Sequence, residues 1–173
     1  MTLEFKNMEV QGLRFSVELT VDDMGRPWEW SDGHGPVRSA HLGPKKPHER
    51  ALSKYWMYDW KGALELAKKD SWGSSSLPVG LTASQELEHL VQQDFNYLKA
   101  WCDDDWCYSC VQVTLLKDSD YSETLGGVEY WHYKDNHYAD SIASELAEDL
   151  AKQYVQEQSE KAYWESRDVV TVC

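Results

Sequence analysis

Positive charge is scarce in this chain. Seventeen lysines and arginines face 30 aspartates and glutamates, a formal net charge of −13. That shortage argues against direct binding to nucleic-acid phosphates or to anionic lipid, and it favours a basic partner. Long apolar runs are also missing. No stretch approaches the roughly 20 apolar residues of a membrane span, and the first twenty residues hold no continuous apolar run. The sequence therefore reads as that of a cytoplasmic protein with neither a secretory signal nor a membrane segment. Cysteine is sparse: Cys102, Cys107 and Cys110 sit together and the fourth, Cys173, is the last residue. They are too few and too clustered for a secreted disulfide framework, so free thiols are expected. Several catalytic signatures are absent as well. No glycine-rich phosphate loop follows a strand, and there is no Gly-x-Ser-x-Gly elbow and no His-Glu-x-x-His helix. The chain is read as non-enzymatic, with no cofactor and no metal.

What is abundant is tryptophan and tyrosine, nine and ten in 173 residues. An acidic chain poor in aromatics would read as disordered. This one reads as a packed domain with an aromatic core and an acidic skin. Its length suits a single domain that buries about two-thirds of its unfolded surface.

The pattern along the chain predicts the elements. Leu13, Phe15, Val17, Leu19 and Val21 alternate with Arg14, Ser16, Glu18 and Thr20, the period of a half-buried strand. A weaker strand near Leu3–Lys6 precedes it, with a turn at Gln11-Gly12. From about 22 to 54 the pattern is lost: Pro27, Pro36, Pro44 and Pro47 fall here with Gly25, Gly33, Gly35 and Gly43. A helix follows Asp59 on the spacing of Trp60, Ala63, Leu64 and Ala67, with Gly73 as its C′ residue and Ser74–Ser76 as a linker. A second helix starts after Thr82, with Glu86 near its N-terminus and a stripe of Leu87, Leu90, Val91, Leu98 and Trp101. Trp106–Leu116 reads as a central strand and Gly127–Tyr133 as a shorter one. A last helix is drawn by Ala139, Ile142, Ala143, Leu146, Ala147, Leu150 and Tyr154, and the tail from about Trp164 has no assignment. The order ββ-α-α-ββ-α predicts an α+β fold: a mainly antiparallel sheet of about four strands with about three helices packed on it.

Part of the chain resembles a known group. Tyr58–Ala67 with Trp72-Gly73, then Asp94-Phe95 and Leu98, then the acidic junction Trp101–Tyr108 leading to Val111–Leu116, then Leu125–Glu129 and a closing Glu145–Ala147, resemble small acidic proteins of bacteriophage and prophage genomes. The likeness covers roughly residues 55–152. It implies a phage-type origin, acting in the cytoplasm of an infected bacterial host, and no particular catalysis.

Four constellations carry candidate chemistry. Cys102-x4-Cys107-x2-Cys110 has an iron–sulfur-like spacing, but it falls on a helix end and an alternating strand, so thiols are the better reading. His34, His41 and His48, with Asp32, suit a divalent ion in chemistry but not in spacing, so solvated histidines are expected. From His34 to Lys54 the same loop carries Arg38, Lys45, Lys46, Arg50 and Lys54 against only Glu49. It suits an acidic partner or, better, the protein's own acidic surface. Asp94 lies inside the apolar stripe of the second helix, and a buried carboxylate must be paired or hydrogen-bonded. A structural cap or an ion pair, for instance to an arginine of the basic loop, is the expected role, and a catalytic acid or base is the alternative.

The acidic face of the last helix, with Asp140, Glu145, Glu148, Asp149, Glu157 and Glu160, is the main candidate for partner binding. The expected partner is a basic, nucleic-acid-handling host protein such as a restriction or CRISPR-type defence complex, held by DNA charge mimicry. Two other classes remain open: a small metal-dependent enzyme using the His/Asp loop, and a structural or accessory phage component, itself a homo-oligomer.

Overall fold

The computed structural model describes residues 1–30, 33–73 and 77–168. The fold is α+β. The elements are β1 Thr2–Val10, β2 Leu13–Val21, α1 Pro27–Trp30, β3 Val37–Ser39, β4 Glu49–Ala51, β5 Trp56–Asp59, α2 Trp60–Lys69, α3 Ala83–Cys102, β6 Trp106–Leu115, β7 Ser122–Trp131 and α4 His137–Asp168. They form two antiparallel sheets, one of four strands in the order β1-β2-β6-β7 and one of three in the order β3-β5-β4. Where the sequence reads as one domain, the chain divides into two compact units: Met1–Met24 with Cys107–Cys173, and Gly25–Trp106. The second unit is inserted between β2 and β6, which pair as neighbours in one sheet. The Pro- and Gly-rich stretch from about 22 marks where the insertion begins, but no such shift marks its end near Trp106. No helix among the described residues is long and apolar enough to cross a membrane.

In the first unit the opening hairpin turns at Gln11 and Gly12, with φ 52° and 74°. Two successive left-handed residues make the twist that a two-residue hairpin needs. The alternation of β2 then buries Leu13, Phe15, Val17 and Leu19. Phe15, Val17 and Leu19 stand opposite Leu115, Val113 and Val111 of β6. The apolar stripe of α4 closes this core with Ala139, Ala143, Ala147, Leu150 and Ala151. Alanine dominates that stripe, so the helix can lie close against the sheet.

β7 differs from the expectation. It begins at Ser122 and matches β6 in length, and Gly126-Gly127 lie inside it instead of forming a turn. Gly127 has φ 72° and donates its N–H to the Asp22 carboxylate at 2.9 Å. A left-handed glycine of this kind is what a β-bulge uses. It resembles a turn in sequence because the same residue serves both.

The second unit holds what the sequence pattern does not show. The span from about 22 to 54, read as irregular, contains α1, β3 and β4, and with β5 it builds the three-stranded sheet. Strands of three or four residues are too short to display a period. α2 starts at its expected cap, with the Asp59 carboxylate accepting from Gly62 N. Its end differs: Ser71 (φ 52°), not Gly73, takes the left-handed position, and Trp72 N donates to Ala67 O at 2.9 Å. That is a Schellman closure. The same device ends α3, where Asp104 has φ 61° and Asp105 N donates to Ala100 O. Aspartate tolerates this conformation better than most residues, which gives the Asp103–Asp105 run a local backbone role. At the other end of α3, Thr82 forms a capping box with Gln85, and Glu86 stands in the first turn as expected. Leu52, Tyr58, Ala63, Ala67, Val91 and Leu98 make the buried core of this unit, ringed by half-buried aromatics. The linker Ser74–Ser76 lies outside the described residues.

Candidate functional site

Asp94 is the centre of a polar knot in the second unit. Its side chain is 8% exposed. One oxygen lies 2.6 Å from His34 Nδ1. The other accepts from the Tyr58 hydroxyl at 2.6 Å and from Gly35 N at 2.8 Å. His34 also stacks on Tyr97, ring centroids 5.5 Å apart. The expected arginine is not the partner: a histidine, a phenol and a backbone amide hold the carboxylate instead. Burial and the neighbouring carboxylate push the Tyr58 hydroxyl far above its ordinary range, so it stays a donor at any ordinary pH. Gly35 is fixed by space: a Cβ there would run into the Tyr58 ring and come within 2.7 Å of Ala63 Cβ. A His–carboxylate pair is the arrangement that orients an imidazole in acid–base catalysis. Here the second carboxylate oxygen is saturated, so the knot acts first as a clasp between the loop at His34-Gly35, strand β5 and helix α3.

The basic loop is consumed in the same unit. Arg38 makes a two-pronged pair with Glu49, Nε to Oε1 at 2.6 Å and Nη2 to Oε2 at 2.7 Å. It donates further to the carbonyls of Ser39, Gly43 and Pro44. Lys46 N also donates to Glu49. Arg50 lies 3.2 Å from the centroid of the Trp60 ring and donates to Gln92. Arg38 and Arg50 are thus tied internally, while the side chains of Lys45 and Lys46 remain exposed. Glu49, the one acidic residue among the loop's basic ones, is the anchor; its isolation in sequence was the available signal.

The fork from Arg38, followed by the Lys46 amide, lowers the Glu49 carboxyl from an ordinary 4.5 to about 2 against the opposing cost of burial. A carboxyl lowered on folding adds stability above its unfolded pKa and loses it as pH falls through the folded one. Acid titration of the parent should therefore show a loss of stability between about pH 4.5 and about 2 that Glu49→Gln does not show. Urea midpoints measured across that window test it; parallel pH curves for the two proteins would contradict it.

The three loop histidines do not converge. His34 is on Asp94, His41 lies 6.2 Å from the Tyr55 ring, and His48 is 3.8 Å from Asp59. Asp32 lies outside the described residues. Among the described residues no group of three His, Cys, Asp or Glu side chains is placed to hold a metal ion. Cys102, Cys107 and Cys110 are half-buried thiols, and burial pushes Cys102 up to about 11. Cys173 lies outside the described residues.

On α4 all six acidic candidates are exposed, but they are not one surface. Asp140 is taken by Lys6 of β1. Glu157 accepts from Tyr121 and Gln153, and the phenol bond lowers its carboxyl while pushing Tyr121 up to about 12. Glu145, Asp149 and Glu160, spaced by four and eleven residues, fall on one stripe opposite the buried alanines, with Glu148 beside it. From Val155 to Arg167 the helix buries no residue. Comparison of the chain with protein-family models, with curated proteins and with solved structures finds no match.

Proposed function

We propose that this chain is a non-enzymatic acidic protein of phage type that captures a basic, nucleic-acid-handling host protein, such as a restriction or CRISPR-type defence complex, and blocks or redirects it. The observation that carries the reading is an imbalance. Arg38 and Arg50 are spent inside the second unit, while Glu145, Glu148, Asp149 and Glu160 stand exposed on α4. These four carboxylates span about 22 Å at 1.5 Å per residue. One DNA strand carries about six or seven phosphates over that distance, and the duplex about twice as many. Lys152, on the same stripe, pairs with Asp149 at 2.9 Å, so the face carries about half the charge density of a single strand and falls well short of a duplex. It suits a basic groove that accepts one backbone.

Reversing Glu145, Glu148 and Asp149 to Lys should abolish most of the capture from bacterial lysate while leaving the fold intact, because all three side chains are exposed. The captured complex should weaken steeply with salt, since exposed charges are screened over about 10 Å at 0.1 M, and duplex or single-stranded DNA should displace the partner. Retention of the partner by the triple variant, or indifference to salt, would exclude this reading.

A further inference from the structure

The first unit carries a cleft that belongs to neither the Asp94 knot nor the acidic stripe. It has a volume of about 350 Å³ and is lined by Gly127, Glu129, Trp131, Asp135, Asn136 and Tyr138. Glu129 and Trp131 alternate with the buried Val128 along β7, so they stand on the strand face opposite the core. The wall is built. Asn136 accepts from Trp131 N at 2.8 Å and donates to Trp131 O at 3.1 Å, which pins the end of β7 to the start of α4. Tyr138, in the first turn of α4, is 61% exposed. The lining holds two aromatic rings and two carboxylates and no basic residue.

The chemistry of such a lining is cation recognition. An indole face attracts an ammonium or guanidinium through its quadrupole, and a nearby carboxylate adds Coulomb attraction. The molecule demonstrates the first part on itself: Lys134 Nζ sits 3.6 Å from the centroid of the Trp131 ring. Asp135 at the rim, 89% exposed and 3.8 Å from His137 Nε2, adds a carboxylate beside that ring. An incoming cation that meets both has the stronger contact. We propose that this cleft receives a lysine or arginine side chain from a basic segment of a partner protein. The volume matches one long side chain at the lower end of ligand-site sizes. The proposal rests on the reading that the partner is basic, and gives that partner a second, shaped point of attachment.

The probe is a fluorescein-labelled peptide of alternating arginine and glycine, followed by fluorescence anisotropy on the full chain. Trp131→Leu leaves net charge unchanged and should weaken binding about five-fold or more, the scale of a cation–π contact. Lys134→Gln should tighten binding more than Lys117→Gln, an equal charge change at a lysine that lies over Tyr154. Glu129→Gln with Asp135→Asn should weaken it more than Glu145→Gln with Glu148→Gln. Equal affinity of Trp131→Leu and parent would overturn the proposal. Should Trp131→Leu fail to fold, the two matched-charge comparisons decide, and equality within both pairs overturns it. The two readings fail separately. Cleft variants that leave peptide affinity unchanged, with capture from lysate still lost on reversing the α4 charges, remove the cleft alone. Cleft variants that weaken the peptide, with the lysate partner retained by the α4 variant, remove the α4 reading and keep the cleft.

Discussion

Trp106→Ala is expected to lower stability by about 3–5 kcal/mol, the usual cost of emptying a large aromatic site in a core. Trp106 is the largest fully buried side chain among the described residues, 1% exposed. It packs on Tyr97 at 4.6 Å between ring centroids and donates its indole N–H to Tyr97 O at 3.1 Å. Alanine removes the ring, its tilted contact with Tyr97 and the donor together. For a chain of this size each kcal/mol shifts the melting temperature by roughly 2–4 °C, so a drop of about 6–20 °C is expected. The control is Trp164→Ala. Trp164 is 60% exposed on α4, and a change there should stay within about 0.5 kcal/mol. Calorimetry on the two variants checks the assignment; similar melting temperatures would contradict it.

Asp94→Ala should cost about 3 kcal/mol, and more if the helix and loop separate. The reason is not the lost carboxylate but what it leaves behind. The Gly35 N–H and the Tyr58 hydroxyl lose their acceptor in a site closed to water, and each orphaned donor costs about 1–3 kcal/mol. His34 loses its anchor at the same time. Asp94→Asn keeps an acceptor oxygen and should recover part of the loss, which separates hydrogen bonding from simple volume. Glu88, exposed on the same helix, is a suitable control, and Glu88→Ala should change little. Urea unfolding of the three variants measures the series. If Asp94→Ala and Glu88→Ala had equal midpoints, Asp94 would not be a clasp.

The two variants mark where sequence reasoning stops. The stripe of α3 already placed Asp94 among apolar residues, so its burial was legible. Its partners were not: they lie 60, 59 and 36 positions away, and no local pattern connects them. The basic loop likewise announced an internal role for its charges without naming Glu49 as the residue that gathers them. Lys6 and Tyr121, which draw Asp140 and Glu157 towards the sheet, are invisible on a helical wheel of α4. The sequence placed Trp106 on a central strand and left Trp164 in an unassigned tail, but it did not show that Trp106 packs on Tyr97.

Alone, then, the sequence determined the elements whose period is repeated over enough contiguous residues: the β1–β2 hairpin, the alternation of β2 and β6, the N-caps and stripes of α2 and α3, and the alanine face of α4. Those follow from side-chain direction, which is a local property of backbone geometry. Only the tertiary structure decided the rest. The strands of β3, β4 and β5 are too short to carry a period and exist because they pair with one another. The Asp94 knot, the Arg38–Glu49 fork and the cleft beside Trp131 each join groups separated by a turn or more of chain. Such contacts form when packing places them together and excludes water, and that is settled by the whole fold, not by any segment of it.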